Sequence, residues 1–187
     1  AVIEAPLDQA RSAPVIAEVK KIIPNKPIRY LVNTHHHFDH SGGLRTYVDE
    51  GATIVTHDVN RAFYQQALVT PRTLNAARPS PTPKNPNIET TGEKKILTDG
   101  SRTLELHLIK GNPHHDGILM AFLPKEKLLI EVDVFTPPNA GAAAQAVNPN
   151  AVNLAENAER LKLDFETILP LHGPGSATRA DLYKAIN

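Results

Sequence analysis

The sequence predicts an α/β fold with mixed sheets, and two observations predict it. In the first half, short β-branched and apolar runs alternate with helix-period stripes, the rhythm of strand–helix–strand units. After Gly92 the rhythm changes to strands joined by tight turns, the mark of antiparallel hairpins.

The elements follow in order. Val2-Ile3 reads as the end of a strand. Ser12 is a candidate cap for a helix with its apolar stripe at Val15, Ile16, Val19, Ile22 and Ile23, which Pro24 stops. Ile28 to Val32 reads as a buried strand. Leu44, Tyr47 and Val48 then suggest a short helix, capped by Ser41 and closed by Gly51. Thr53 to Thr56 is another strand, and Asp58 is the expected cap of a helix through Phe63 and Leu68. From Thr70 to Gly92, Pro71, Pro79, Pro81, Pro83 and Pro86 argue against regular structure. Asp99-Gly100 is a hairpin signal between Lys94–Leu97 and Arg102–Ile109, where Leu104, Leu106 and Leu108 alternate with His107 and leave it on the other, exposed face. Gly117 to Leu123 and Leu128 to Val132 form a second hairpin around Pro124–Lys127. Thr136 to Asn150 is again irregular. Ala151 to Leu163 reads as a helix, Thr167 to Leu169 as a strand, and Thr178 with Asp181 as the capping box of a terminal helix. There is no internal repeat and no interdomain linker, so residues 1–187 are expected to form one domain.

Composition narrows the function. The chain has no cysteine, which excludes thiolate metal sites, a cysteine nucleophile and a disulfide framework. Lys plus Arg is 20 and Asp plus Glu is 20, so the charge pattern is not that of a nucleic-acid or membrane-surface binder. No apolar run reaches the roughly 18–20 residues of a membrane span. A small-molecule substrate is the expected partner.

The chemistry concentrates in Asn33-Thr34-His35-His36-His37-Phe38-Asp39-His40-Ser41-Gly42-Gly43. Four of the nine histidines lie between positions 35 and 40. Residues i and i+2 face one way in extended chain, so His35 and His37 reach one metal together. Asp39 and His40 turn to a second beside it. Neutral imidazole and carboxylate are zinc-type donors. An expression tag would be terminal, and this cluster is interior and interrupted by Phe38 and Asp39; a solvated polar loop is the other reading. Three later sites bear on that choice. His114-His115-Asp116 follows the strand ending at Ile109, Asp133 ends the strand Leu128–Val132, and His172 follows the strand ending near Leu169. Ligand sites in open α/β sheets gather at the carboxyl ends of strands.

With these residues the sequence resembles the metallo-β-lactamase fold superfamily, whose signature is H-x-H-x-D-H followed by separated His, Asp and His. Thr-His-His-His-Phe-Asp-His-Ser-Gly-Gly is particularly similar to the motif of its hydroxyacylglutathione hydrolases. The resemblance implies an αββα sandwich with mixed sheets. It implies that His35, His37 and His114 hold a first metal, that Asp39, His40 and His172 hold a second, and that Asp133 bridges them. The match of Gly111-Asn112-Pro113-His114 to the family's Gly-x-Gly-His turn selects His114 over His115. His36 should point away, and His57 takes a structural role. Two zinc ions are the expected cofactors, with manganese or iron as alternatives. The implied activity is hydrolysis of an ester, lactone, thioester or related bond by a hydroxide shared between the metals, with Asp39 handling its proton and weak β-lactam turnover left open.

Asp133 resembles the bridge of the superfamily's thioesterases, lactonases and phosphodiesterases. The di-iron branch puts Glu where His37 stands. Two alternatives remain at this level: a metal-binding relic that turns over little, and a mononuclear iron persulfide dioxygenase, which shares the H-x-H-x-D-H text. Superfamily members usually have several strands before the one that ends near Glu4, where they read Asp-Thr. The expectation is therefore an incomplete N-terminal sheet whose edge is covered by a second copy of the chain. The stretches Thr70–Gly92 and Thr136–Asn150 are expected to border the metal cleft.

Overall fold

The computed structural model describes residues 1–71, 85–139, 141 and 146–187. They divide into two compact units, Ala1–Thr91 and Gly92–Asn187, each with its own sheet and its own core.

The first unit is a parallel sheet of four strands in the order β1-β2-β3-β4: Val2–Ile3, Tyr30–Val32, Thr53–His57 and Ile88–Thr91. The registers are parallel throughout, with Ile3 opposite Val32, Leu31 opposite Ile54 and Val55 opposite Glu89. Parallel neighbours need crossovers, and helices supply them. Helix α1 (Gln9–Ile22) joins β1 to β2; α2 (Phe38–Ser41) and α3 (Leu44–Asp49) join β2 to β3; a 3₁₀ turn (Asp58–Asn60) and α4 (Arg61–Val69) follow β3. The core of this unit includes Ile16, Leu31, Tyr47, Ile54, Tyr64 and Ile88.

Several local expectations are corrected here. Helix α1 begins earlier than Ser12: Asp8 is the cap, accepting from the N–H of Arg11 at 2.8 Å, and Ser12 is buried inside the helix. This places Pro14 past the first turn, a position proline normally avoids, so the Asp8 cap and the packing of Ile16 outweigh it. Helix α3 begins after Gly43 rather than at a Ser41 cap; Ser41 Oγ instead donates to the carbonyls of His36 and His37. Gly51, at φ 83°, does close that helix. The proline-rich stretch is not irregular to its end, because Ile88–Thr91 adds a fourth parallel strand against β3. Residues 72–84, 140 and 142–145 lie outside the described residues, and with them most of the first expected loop and part of the second.

The second unit is a sheet of six strands in the order Ala177–Thr178, Thr167–Pro170, Leu128–Glu131, Leu119–Leu123, Thr103–Leu108 and Lys94–Thr98, numbered β10 down to β5. Strands β5 (Lys94–Thr98) and β6 (Thr103–Leu108) form the Asp99-Gly100 hairpin, in which the Asp99 carboxylate accepts from the N–H groups of Ser101 and Arg102, both at 2.9 Å. Strands β7 (Leu119–Leu123) and β8 (Leu128–Glu131) form the next hairpin. Helix α5 (Pro149–Arg160), capped by Asn148, leads to β9 (Thr167–Pro170), which pairs with β8 in parallel. The short β10 (Ala177–Thr178), not foreseen from sequence, runs into helix α6 (Arg179–Ile186) through the expected Thr178–Asp181 capping box. Ala151, Leu154, Ala155 and Ala158 put one face of α5 into the core with Met120, Leu129 and Phe165. His107, expected at an exposed face, is 2% exposed. Strand alternation fixes which face a residue takes, not whether that face is covered. Among the described residues, no helix is long and apolar enough to cross a membrane.

Candidate metal centre

The first unit carries His35, His37, Asp39 and His40 on the segment leaving β2 and on the single turn α2. Asn33 and Thr34 carry the chain off the strand, and His35 follows, fully buried. Its Nδ1 lies 3.0 Å from Thr34 Oγ1, and its Nε2 lies 3.1 Å from His37 Nδ1. The His35 ring centroid is 4.6 Å from that of His37 and 4.7 Å from that of His40. Asp39 and His40 sit on α2, where His40 Nε2 is 3.3 Å from Asp39 Oδ2. Gly42 and Gly43 follow because nothing larger fits: a Cβ on Gly42 would fall 1.9 Å from the Leu7 carbonyl oxygen, and one on Gly43 2.0 Å from Ser12 Oγ.

Beneath the motif lies a carboxylate that sequence reading missed. Glu4, 1% exposed, accepts the N–H of Thr34 at 2.7 Å on one oxygen and the Asn33 side-chain amide at 2.9 Å on the other. His40 Nδ1 is 3.5 Å from the second oxygen. Asn33 also donates to the His40 carbonyl at 2.8 Å and accepts from the Tyr64 hydroxyl. Burial pushes the Tyr64 hydroxyl well above its ordinary pKa, with the Glu4 charge adding to the shift, so it remains a donor. The only sequence signal was an acidic residue closing an apolar strand. His36 turns away as expected, its Nδ1 2.9 Å from Asn60 Oδ1 and its ring 4.6 Å from that of Phe63.

The second unit carries His114, Asp133 and His172, each just beyond a strand end. Asp133 presents one carboxylate oxygen to each histidine: Oδ2 is 3.1 Å from His114 Nε2 and Oδ1 is 2.8 Å from His172 Nε2. His114 reaches Asp133, and His115 Nδ1 accepts the N–H of Gly117 at 3.0 Å. Asp133 occupies a left-handed turn at φ 64° after β8. Glu131 holds that turn, its Oε2 accepting from the N–H groups of Val134 at 3.1 Å and Phe135 at 3.0 Å. Burial pushes the Glu131 carboxyl up to about 8; the two N–H bonds oppose the shift and the Asp133 charge adds to it. Glu131 too escaped the sequence reading, although a glutamate ending the apolar run Leu128-Leu129-Ile130 is the mark of a buried acid.

Both clusters are made of imidazole nitrogens and carboxylate oxygens. Imidazoles packed this closely would repel as imidazolium ions; as neutral rings they offer lone pairs. In the tautomer in which His35 Nδ1 donates to Thr34 Oγ1, Nε2 keeps its lone pair for a metal, the usual outer-partner arrangement of a metal-binding histidine. The residues fit a borderline divalent cation.

A model of the metallo-beta-lactamase superfamily matches residues 6–130. The chain belongs to the metallo-beta-lactamase superfamily. Solved structures share its fold at low identity. The metallo-beta-lactamase from Pontibacter korlensis is 17% identical with a TM-score of 0.68, over 98% of this chain and 80% of that one. The metallo-beta-lactamase FIM-1 from Pseudomonas aeruginosa, solved in a mono-zinc form, is 20% identical with a TM-score of 0.66, over 98% and 75%. The flavodiiron protein from Giardia intestinalis is 16% identical with a TM-score of 0.69, over 98% of this chain and 46% of that one. No curated protein sequence matches significantly. Membership of this metallo-beta-lactamase superfamily and the His/Asp clusters together support a metal cofactor and a place among metal-dependent hydrolases.

Proposed function

We propose that the chain is a dinuclear metal-dependent hydrolase of esters, lactones or thioesters. In this reading His35, His37 and His114 hold one ion, Asp39, His40 and His172 hold the other, and Asp133 serves both; the ions are zinc. The observation that carries it is the Asp133 carboxylate, with one oxygen turned to a histidine of each set at 3.1 and 2.8 Å. When bound, the ions supply Lewis acidity and a water whose pKa falls to about 7. The chain supplies the rest. Asp39 Oδ2, in contact with His40 and 39% exposed in its side chain, orients that water and holds its proton. Glu4 and Asn33 fix the backbone from Thr34 to His40. Glu131 fixes the turn that aims Asp133.

The test is a panel of chromogenic esters, lactones, thioesters, phosphodiesters and a cephalosporin, assayed with zinc, manganese and iron. We expect turnover of a carboxylic ester, lactone or thioester, abolished by a chelator and restored by metal. Metal uptake with no turnover of any panel member contradicts the hydrolase and leaves a metal-binding relic; oxygen consumption with a persulfide contradicts it in favour of a dioxygenase.

A further inference from the structure

The segment that carries His114 has no regular structure, yet helix α5 pins its backbone. The Lys110 N–H donates to Asn157 Oδ1 at 2.9 Å. The Lys110 carbonyl accepts from the amides of both Asn157, at 3.0 Å, and Asn153, at 2.9 Å. Asn153 Oδ1 accepts from the Asn112 amide at 3.1 Å. Asn112 Oδ1 then accepts from the N–H groups of His114 at 3.0 Å and His115 at 3.3 Å. A relay of three side-chain amides therefore runs from α5 to the backbone of His114. The turn it holds needs Gly111 at φ 65°, where a side chain would be strained.

Asparagine inside a helix is unfavourable, because its side chain competes for backbone partners. Asn153 and Asn157 stand four apart, on one face, and both reach the loop; Asn157 also donates to the Asn153 carbonyl within the helix, at 2.9 Å. The apolar face of α5 that enters the core is made of Ala151, Leu154, Ala155 and Ala158. Asn112 and Asn157 are each only 4% exposed, so their bonds are shielded from competing water.

We infer that Asn112, Asn153 and Asn157 are positioning residues for His114. They hold its loop in the one arrangement that offers Nε2 to a divalent cation alongside Asp133. The inference rests on the reading of His114 as a metal ligand.

The test is zinc affinity by chelator competition on the full chain, with melting of the metal-free protein in parallel. Asn112→Ala removes the acceptor for both N–H groups and should weaken zinc binding by about 10-fold or more, the usual scale for losing an outer partner of a metal ligand. Asn153→Ala should act in the same direction. Asn112→Asp keeps the acceptor for both N–H groups but loses the donor to Asn153 Oδ1, so its affinity should fall between those of wild type and Asn112→Ala. The discriminating comparison is a double-mutant cycle: in a His114→Ala background, Asn112→Ala should cost zinc affinity nothing further. Zinc affinity unchanged in Asn112→Ala, with only the melting temperature lowered, overturns the inference. So does an equal loss with and without His114. Should Asn153→Ala fail to fold, the Asn112 pair decides the matter alone. A wild-type chain that takes up no zinc overturns the ligand reading itself, an outcome distinct from a variant that behaves as wild type.

Discussion

Glu4 accepts the backbone N–H of Thr34 at 2.7 Å, across thirty positions of sequence and with both groups buried. The first strand thereby fixes the residue from which the histidine motif departs. A carboxylate in such a place is held by what it accepts, because an unpaired buried charge is expensive. We expect Glu4→Gln to lower stability by about 1–3 kcal/mol, the scale for leaving a buried polar group unsatisfied. Replacing one oxygen by an amide nitrogen leaves either the Thr34 N–H or the Asn33 amide facing a donor. Chemical denaturation of the metal-free protein measures this. A variant as stable as wild type would show that Glu4 is not needed to hold the strand end.

Asp39 and His36 separate ligand from neighbour. Asp39→Asn keeps the size and one oxygen but removes the charge and the capacity to hold a proton. We expect hydrolysis to fall by about 10²-fold or more, with a modest loss of metal. His36→Ala, which removes a ring held by Asn60 and Phe63, should cost far less. Turnover per bound metal is the comparison. The reverse order would mean that the ligand register is shifted.

His107 supplies a pH dependence of stability. Burial lowers its pKa, the Glu105 carboxylate at 2.8 Å works against that, and Lys94 and Arg160 add to the lowering. The unfolded chain therefore binds this proton more readily than the folded one. The stability associated with neutral His107 is fully present above the unfolded value of about 6.5 and is lost as pH falls below it. One such proton gives a slope of at most about 1.4 kcal/mol per pH unit. His107→Met should flatten the fall in unfolding free energy between neutral and mildly acidic pH. A slope unchanged by the substitution would assign it to other groups.

Much of this was legible in the sequence because it is local. The hairpin at Asp99-Gly100, the capping box at Thr178 and the stop at Pro24 each depend on residues a few positions apart. So does the placement of His35, His114, Asp133 and His172 just beyond strands. What was not legible is held by distant partners. Glu4 is explained only by Thr34 and Asn33, and the asparagines of α5 only by the loop at Lys110. Strand β4 hid behind prolines because a parallel partner, β3, rather than its own pattern, makes Ile88–Thr91 a strand. Helix α1 begins at Gln9 rather than after Ser12 because Asp8 caps it, accepting from the N–H of Arg11. His107 was misplaced because alternation says which way a side chain points and nothing of what lies over it.

Asp133 should couple the two metal sets. Asp133→Asn keeps its shape but removes the charge shared between His114 and His172. We expect it to weaken binding of the second ion by about 10-fold or more while the first is retained. Stepwise zinc titration followed by calorimetry reads the two steps separately. Weakening of neither step would mean that Asp133 does not serve as the bridge.

The most direct measurement is the metal content of the unmodified chain. Protein loaded with excess zinc, freed of unbound ion by desalting and analysed by elemental mass spectrometry should approach two zinc ions per chain. His172→Ala should bring it to one. A plateau at one for the unmodified chain, unaltered by His172→Ala, would contradict the dinuclear centre.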